Sequence, residues 1–159
     1  MKYDIFCTVG THPQPFNRLL EELDEVCAKR KWKCFAQVGN TAFAPKHLEW
    51  KKMLDAKAYD EKLKESKIVI SHGGAGNIIN ALVRGKKLVV VPRLQKFGEH
   101  TNDHQLELGS ALERQGKCVC VQNVEGLEKA VERAKHLKQS RRKELPIAKR
   151  ISEFIEELE

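Results

Sequence analysis

Short apolar runs alternate with longer amphipathic runs along this chain of 159 residues. The apolar runs cover residues 3–9, 33–38, 67–71, 87–92 and 118–121, and a weaker one lies at 50–54. Runs this short and continuous are typical of strands buried on both faces. With a helix between successive strands, the pattern predicts a single Rossmann-like, doubly wound parallel α/β sheet of about six strands, spanning residues 1–159 as one domain.

Apolar residues between these runs recur at helical spacings of three, four and seven positions. The clearest stripe follows Pro15 and consists of Phe16, Leu19, Leu20, Leu23, Val26 and Cys27. Further helices are predicted over 58–65, 78–83, 106–112 and 124–134. A terminal helix starts near Pro146 and carries Ile147, Ile151, Phe154, Ile155 and Leu158. We expect this last helix to pack on its own sheet, and the alternative is packing on a second subunit.

Composition narrows the class of protein. No apolar run approaches the roughly 20 residues of a membrane helix, and the first residues lack a secretory pattern, which predicts a cytoplasmic protein. The five cysteines are odd in number and contain no CxxC pair. Most lie inside apolar patterns, so we expect reduced, buried thiols.

Positive charge is concentrated near the C-terminus. The chain has 29 Lys and Arg against 22 Asp and Glu, a formal net charge of +7. A basic helical segment begins at about residue 129, and a solvated helix face is its simplest interpretation. A cluster of this kind can also serve an anionic membrane, an acidic partner or nucleic acid. We expect no nucleic-acid partner, because the segment has no interleaved aromatic residues.

Three polar or glycine-rich loops follow predicted strands, at residues 10–15, 72–77 and 92–105. Ligands of doubly wound sheets bind beyond the carboxyl ends of the strands. We therefore expect these three loops to converge on one rim of the sheet.

The strongest local signal is the loop after the strand at 67–71. Glycines let the backbone approach a ligand closely, and a helix N-terminus favours a phosphate or diphosphate. The alternative is a tight turn in which the glycines serve packing. The loop is not the NAD fingerprint, because Ile79 occupies the third glycine position. The candidate residues are His72, Gly73, Gly74, Ala75, Gly76 and Asn77.

The loop after the first strand offers donors to the same anion through Gly10 and Thr11, while His12 is a candidate base or a capping side chain.

The third loop is rich in donors and acceptors and runs into a helix. His100 and His104 are spaced i, i+4 beside Glu99 and Asp103, which raises a metal site as an alternative. Hydrogen bonding to a hydroxyl-rich ligand is favoured, because no third metal ligand is fixed by the spacing.

Taken together, the motifs at 9–16, 71–76 and 91–105 resemble the C-terminal domain of glycosyltransferase family 28, over the chain up to about residue 125. The similarity is to its short stand-alone members, the catalytic subunit of the two-chain dolichyl-diphosphate N-acetylglucosamine transferase and the bacterial PssE-type subunit, and to the C-terminal half of MurG. The resemblance implies the donor-binding half of a GT-B enzyme. The partner it implies is a membrane-anchored chain that binds the acceptor.

This resemblance also implies roles for residues. Gly10 and Thr11 fall near the diphosphate and sugar, Gly74, Ala75 and Asn77 near the nucleotide, and residues 54–57 near the uracil. His104 and Gln105 fall where sugar hydroxyls are recognised. Asn80 stands where the family usually has a Glu that binds the ribose. The expected donor-binding residues are Gly10, Thr11, His72, Gly73, Gly74, Ala75, Gly76, Asn77, Asn80, Glu99, His104 and Gln105.

The resulting hypothesis is inverting transfer of N-acetylglucosamine or a hexose from a UDP-sugar to a lipid-linked acceptor, with no metal or other cofactor. The general base is expected from the partner chain, with His12 as the lesser candidate. The alternative is a non-catalytic nucleotide-binding regulatory subunit, to which the uncharged Asn80 lends support.

Overall fold

The structure is a computed structural model that describes residues 1–138 and 145–158. In the last helix it describes only part of the side chains. The basic residues at 141–143, and the side chains of Ile147, Ile155 and Leu158 that the sequence placed on the terminal stripe, lie outside the described parts.

Six parallel strands form one sheet in the described residues. They are β1 (Tyr3–Thr8), β2 (Cys34–Gln37), β3 (Glu49–Lys51), β4 (Ser66–Ser71), β5 (Lys87–Val90) and β6 (Val119–Cys120). Their order is β3-β2-β1-β4-β5-β6, so the direction of winding reverses between β1 and β4. This confirms the doubly wound sheet and places its switch point at the two central strands.

Helices cover both faces of the sheet. They are α1 (Asn17–Arg30), α2 (Ala56–Lys64), α3 (Ala75–Val83), α4 (His104–Arg114), α5 (Leu127–Ala134) and α6 (Leu145–Leu158). Short 3-10 turns at Gln95–Phe97 and Val124–Gly126 complete the elements. The apolar stripes of α1 and α5 form one core with the sheet, and α2, α3, α4 and α6 form the other.

The terminal helix packs on its own domain. Ile151 of α6 is 2% exposed in the second core, and Phe154 packs against that core. The neighbours of α6 are α3 and α4. The prediction that this helix covers its own sheet is therefore confirmed for these two side chains.

The third strand differs from the prediction. It covers Glu49–Lys51 rather than 50–54, and all three of its residues are exposed. It is held by pairing with β2, in which Ala36 lies opposite Trp50. Because an exposed edge strand has no apolar run, its position is not visible in the hydropathy pattern.

All five cysteines are free in the described structure, and only Cys120 is partly exposed. This confirms the expectation of reduced thiols. Burial raises the pKa of Cys120 to about 11, so the thiol form dominates at neutral pH. Within residues 1–138 and 145–158, no helix is long and apolar enough to cross a membrane.

Candidate functional site

The loops that follow β1, β4 and β5 meet at the carboxyl edge of the sheet. The guanidinium of Arg93 donates to the carbonyl of Gln14 at 2.8 Å and to that of Val9 at 2.7 Å. The side-chain oxygen of Gln105 accepts from the backbone N–H of Gly73 and of Arg93, both at 3.0 Å. These bonds connect all three loops, so the predicted rim is confirmed. Its centre is the switch point between β1 and β4, where open sheets of this kind bind ligands.

His72 lies at the centre of the rim and is 8% exposed. Asn77 Oδ1 accepts from the hydroxyl of Tyr59 at 2.6 Å, which leaves Asn77 Nδ2 to donate to His72 Nε2 at 2.9 Å. The ring proton is therefore assigned to Nδ1, which faces Gln105 Oε1 at 3.4 Å. Burial, and after it the charge of Arg93, lower the pKa of His72 to about 4. The imidazole is thus neutral at neutral pH.

Three glycines make room for the His72 and Gln105 side chains. A Cβ built on Gly10 would lie 2.4 Å from His72 Nε2, and one on Gly74 would lie 2.2 Å from His72 Cε1. A Cβ on Gly73 would lie 2.5 Å from the Cβ of Gln105. Only Gly76 of the loop has no heavy atom within 4 Å of its built Cβ. Packing explains three of the glycines, and Gly76 leaves open space beside the helix start.

Helix α3 begins at this open space. Its N-cap is Gly74, which forms no side-chain cap. The N–H groups of the first turn have no acceptor within a helix, and the helix dipole adds positive potential there. Asn77 directs its amide at His72 and Tyr59, so one of its two N–H groups supports the His72 ring. The backbone of this turn has the chemistry of an anion site.

Glu99 is buried, at 4% exposure, and its carboxylate serves the fold. Arg18 Nε donates to both oxygens, at 2.9 and 3.1 Å, and Leu94 N–H donates to Oε1 at 3.0 Å. The sequence had favoured Glu99 for ligand binding and gave no indication of Arg18. Arg18 looks like an ordinary polar position of α1, and its partner is 81 positions away.

His12 and His100 stack on each other at the outer side of the rim, with ring centroids 4.8 Å apart. His12 Nδ1 accepts from the N–H of Gln14 at 3.3 Å, and His100 Nδ1 accepts from that of Asn102 at 3.3 Å. Burial and the charge of Arg93 lower the pKa of His12. Burial, followed by His12 and Arg93, lowers the pKa of His100. Both rings favour the neutral form, and because Nδ1 of His12 accepts a hydrogen bond, the proton of its ring is assigned to Nε2.

His104 is the first residue of α4 and donates its N–H to Asn102 Oδ1 at 3.0 Å. Over residues 1–138 and 145–158, no cluster of three metal-ligating side chains occurs.

The other expected binding residues lie around the rim with fewer contacts. Thr11 is exposed, and Ala75 is half-buried at the start of α3. Asn80 is exposed on α3 and accepts from Arg84 Nη1 at 3.4 Å. In the segment 54–57, Asp55 caps α2 by accepting from Ala58 N–H at 2.8 Å.

A doubly wound parallel sheet with this switch point and an open helix N-terminus is an α/β domain of the kind that binds ligands beyond the carboxyl ends of its strands. The chain belongs to the glycosyltransferase family 28 C-terminal domain family, whose model matches residues 4–158. The match extends past residue 125, where the resemblance in the sequence had ended, and takes in α5 and α6.

Named relatives and solved structures agree with the family. The chain is 32% identical over 130 residues to the UDP-N-acetylglucosamine transferase subunit ALG13 of Homo sapiens, a match that covers 73% of this chain and 11% of that protein. It thus spans about a tenth of the length of this relative. The glycotransferase of kitacinnamycin matches with a TM-score of 0.61 at 21% identity, over 99% of this chain and 39% of the other. MurG of Acinetobacter baumannii matches with a TM-score of 0.57 at 17% identity, over 96% of this chain and 50% of MurG.

Proposed function

We propose that this chain is the donor-binding and catalytic subunit of a two-chain inverting glycosyltransferase. It moves N-acetylglucosamine or a hexose from a UDP-sugar to a lipid-linked acceptor. The observation that carries the proposal is the rim at the switch point, where α3 opens beside Gly76 with an uncapped first turn. The relative named as a UDP-N-acetylglucosamine transferase subunit supports the choice of donor.

The chemistry assigned to the rim is electrostatic. Departure of UDP places negative charge on the diphosphate, and the first-turn N–H groups of α3 lie fixed in advance where they can stabilise it. Gly10 and Thr11, after β1, supply further donors to the same group. His104 and Gln105 are assigned to the sugar hydroxyls, although the side-chain oxygen of Gln105 already accepts two backbone N–H groups. No metal or other cofactor is required in this scheme.

A general base must remove the proton from the acceptor hydroxyl. We assign this role to the partner chain, and His12 is the second candidate because its ring favours the neutral form and lies at the rim. As a base it would act through Nδ1, which must first give up its 3.3 Å hydrogen bond from the N–H of Gln14. His72 fits the role less well, because it is buried and its Nε2 accepts a shorter hydrogen bond, 2.9 Å, from Asn77.

The partner we propose is a membrane-anchored subunit that binds the acceptor. The relative named as a transferase subunit supports this proposal, because a subunit works with at least one other chain. Under this proposal the chain is cytoplasmic and reaches the membrane through its partner. Co-expression with the candidate partner should yield transfer from UDP-sugar to a lipid acceptor, and full transfer by this chain alone would contradict the two-chain arrangement.

A second candidate is a nucleotide-binding regulatory subunit without activity. The uncharged, exposed Asn80 on α3 favours it, because the family usually has a Glu there. This candidate binds UDP but supports no transfer when the partner is present, and restoration of transfer by Asn80→Glu would support it.

Titration calorimetry with UDP-N-acetylglucosamine tests the donor site, and Gly76 is the position for a variant. A side chain at Gly74 would collide with His72, whereas Gly76 has open space. Gly76→Asp places a negative charge in the first turn of α3, which favours the helix but repels a diphosphate. We expect at least about tenfold weaker binding for Gly76→Asp.

Gly76→Asn is the matched control, because it has the same shape without the charge. It should bind the nucleotide-sugar within about threefold of the wild type. Equal binding by the Asp and Asn variants, or no binding by the wild type, would contradict the proposed donor site.

A further inference from the structure

Arg93 is the largest fully buried side chain of the described structure, with 1% exposure. Its guanidinium connects the loops of the rim, but its charge had no function in the site described above. All its hydrogen-bond acceptors are backbone carbonyls, those of Val9, Gln14 and Glu99, at 2.7, 2.8 and 3.2 Å. Its Nε is buried and has no acceptor in the part of the chain that the structure describes.

The charge of Arg93 has no counter-ion of its own. Burial lowers the pKa of Arg93, and the Glu99 carboxylate acts on it electrostatically and raises the pKa by less, but Arg18 and the Leu94 N–H bind the oxygens of this carboxylate. No Asp or Glu within 1–138 or 145–158 forms an ion pair with Arg93. Two guanidinium groups therefore share one carboxylate, which leaves this cluster with a net charge of +1.

A buried charge without a partner is strongly unfavourable. Three neutral carbonyls satisfy hydrogen bonds but cannot neutralise the charge. If the only role of Arg93 were to hydrogen-bond the loops together, a neutral donor could do so without the free-energy cost of burying a charge. A ligand anion bound at the rim would place negative charge near this buried cation and reduce the penalty.

The surrounding rings support this interpretation. The charge of Arg93 contributes to the lowered pKa of His72, His12 and His100. The three histidines therefore do not provide the positive charge of the rim at neutral pH. Within this group of side chains, the permanent cation is the one that lies buried.

We propose that Arg93 is a positioning residue whose buried, uncompensated charge stabilises a pyrophosphate bound at the rim. It acts through the loops that it connects and through the electrostatic field, without touching the ligand. The inference rests on the proposed donor site. It adds that the charge of Arg93 makes this site bind a pyrophosphate more tightly than an uncharged ligand.

Calorimetry of the full chain with three probes tests this idea: UDP, uridine and inorganic pyrophosphate. Arg93→Met removes the charge but keeps much of the side-chain volume. We expect at least about tenfold weaker binding of UDP and pyrophosphate, and a change of less than about threefold for uridine. Arg93→Lys, which restores the charge without the fork of donors, should recover most of the UDP affinity.

Arg84→Met is the control for net charge, because it removes the same charge from the opposite end of α3, where Arg84 pairs with Asp60. It should leave all three affinities within about threefold of the wild type. Equal losses for uridine and UDP in Arg93→Met would show a purely structural role and overturn the inference. So would an unchanged affinity for UDP and pyrophosphate.

Two other results, misfolding of Arg93→Met and failure of the wild type to bind UDP, can also be interpreted. Should Arg93→Met not fold, Arg93→Gln against Arg93→Lys asks the same question, since both are too short to reach all the carbonyls and differ in charge. A lower preference for UDP over uridine in the Gln variant alone supports the inference, and equal preferences overturn it. If the wild type binds pyrophosphate but not UDP, the proposed donor fails while the anion site, and the Arg93 comparison on it, still stands.

Discussion

The His72 ring occupies the space in which Gly10 would carry a side chain, since a Cβ on Gly10 would lie 2.4 Å from His72 Nε2. Gly10 also has a φ of +75°, a conformation that other residues adopt at a penalty. We expect Gly10→Ala to lower the free energy of unfolding by about 3 kcal/mol, measured by urea denaturation.

Gly116 is the matched control for that substitution. Its φ is +72°, and no heavy atom lies within 4 Å of its built Cβ. Gly116→Ala should therefore cost only the backbone part, about 1 kcal/mol. Similar losses at both positions would show that the contact with His72 is unimportant.

The ion pair between Arg18 and Glu99 should be important for stability. It is bidentate and Glu99 is buried, so Glu99→Gln leaves two guanidinium groups without a carboxylate. We expect a loss of about 3 kcal/mol in the free energy of unfolding. Glu128→Gln, which breaks an exposed pair with Arg30, is the control and should change stability little. A comparable loss at both sites would contradict the argument from burial.

Stability should fall in acid because of His72. Its pKa is about 4 in the folded protein against 6.5 in the unfolded chain, so the unfolded chain binds the proton more tightly. The contribution is fully present above pH 6.5 and is lost as the pH falls toward about 4. The lost contribution amounts to about 3 kcal/mol. Urea denaturation across this range should show a shallower pH dependence for His72→Gln, and equal slopes would contradict the prediction.

The Tyr59 hydroxyl should matter for the ligand as well as for the fold. It donates to Asn77 Oδ1 at 2.6 Å and so orients the amide that donates to His72. Tyr59→Phe should lower stability by about 1 kcal/mol and weaken UDP binding in calorimetry. Tyr3→Phe deletes the same atom from a bond to Glu49 in another part of the fold, and should leave UDP affinity unchanged. Equal UDP affinities in the two variants would show that the Tyr59 hydroxyl does not contribute to ligand binding at the rim.

The cysteines give a test that needs no variant. A thiol reagent should titrate five groups in the unfolded chain. In the native protein we expect at most slow reaction, led by the half-buried Cys120, whose pKa of about 11 keeps the thiolate scarce. Rapid native reaction of several thiols would contradict the burial of Cys7, Cys27 and Cys34.

The parts of the fold that the sequence predicted are those with a local signal. Five strands and the amphipathic helices have apolar patterns, and parallel strands necessarily bring their carboxyl-end loops together. The strand at Glu49–Lys51 has only a weak signal that is displaced toward residue 54, because all its residues are exposed and its pairing with β2 fixes it. Helix α3 begins at Ala75, three residues before the predicted start at 78. The residues before Ile78 are too small or polar to contribute to an apolar helical repeat, so the sequence pattern does not show the first turn.

The contacts within the site were less predictable. The glycines of the loop can be read from the sequence, but the side chains that pack against them, His72 and Gln105, cannot. Gln105 lies more than 30 positions from Gly73 along the chain. Such packing depends on the tertiary structure and leaves no mark in spacing. The pair formed by Arg18 and Glu99 is equally invisible, since each residue taken alone looks like a solvated charge.

The crowding around His72 and Gln105 has a consequence for engineering. A library randomised at positions 10, 73 and 74 would mostly encode collapsed or misfolded proteins, because each new side chain must displace a buried ring or amide. Gly76 and the exposed Asn80 carry no such constraint, and both lie on the same helix. Attempts to change which ligand this rim accepts should therefore begin at these two positions.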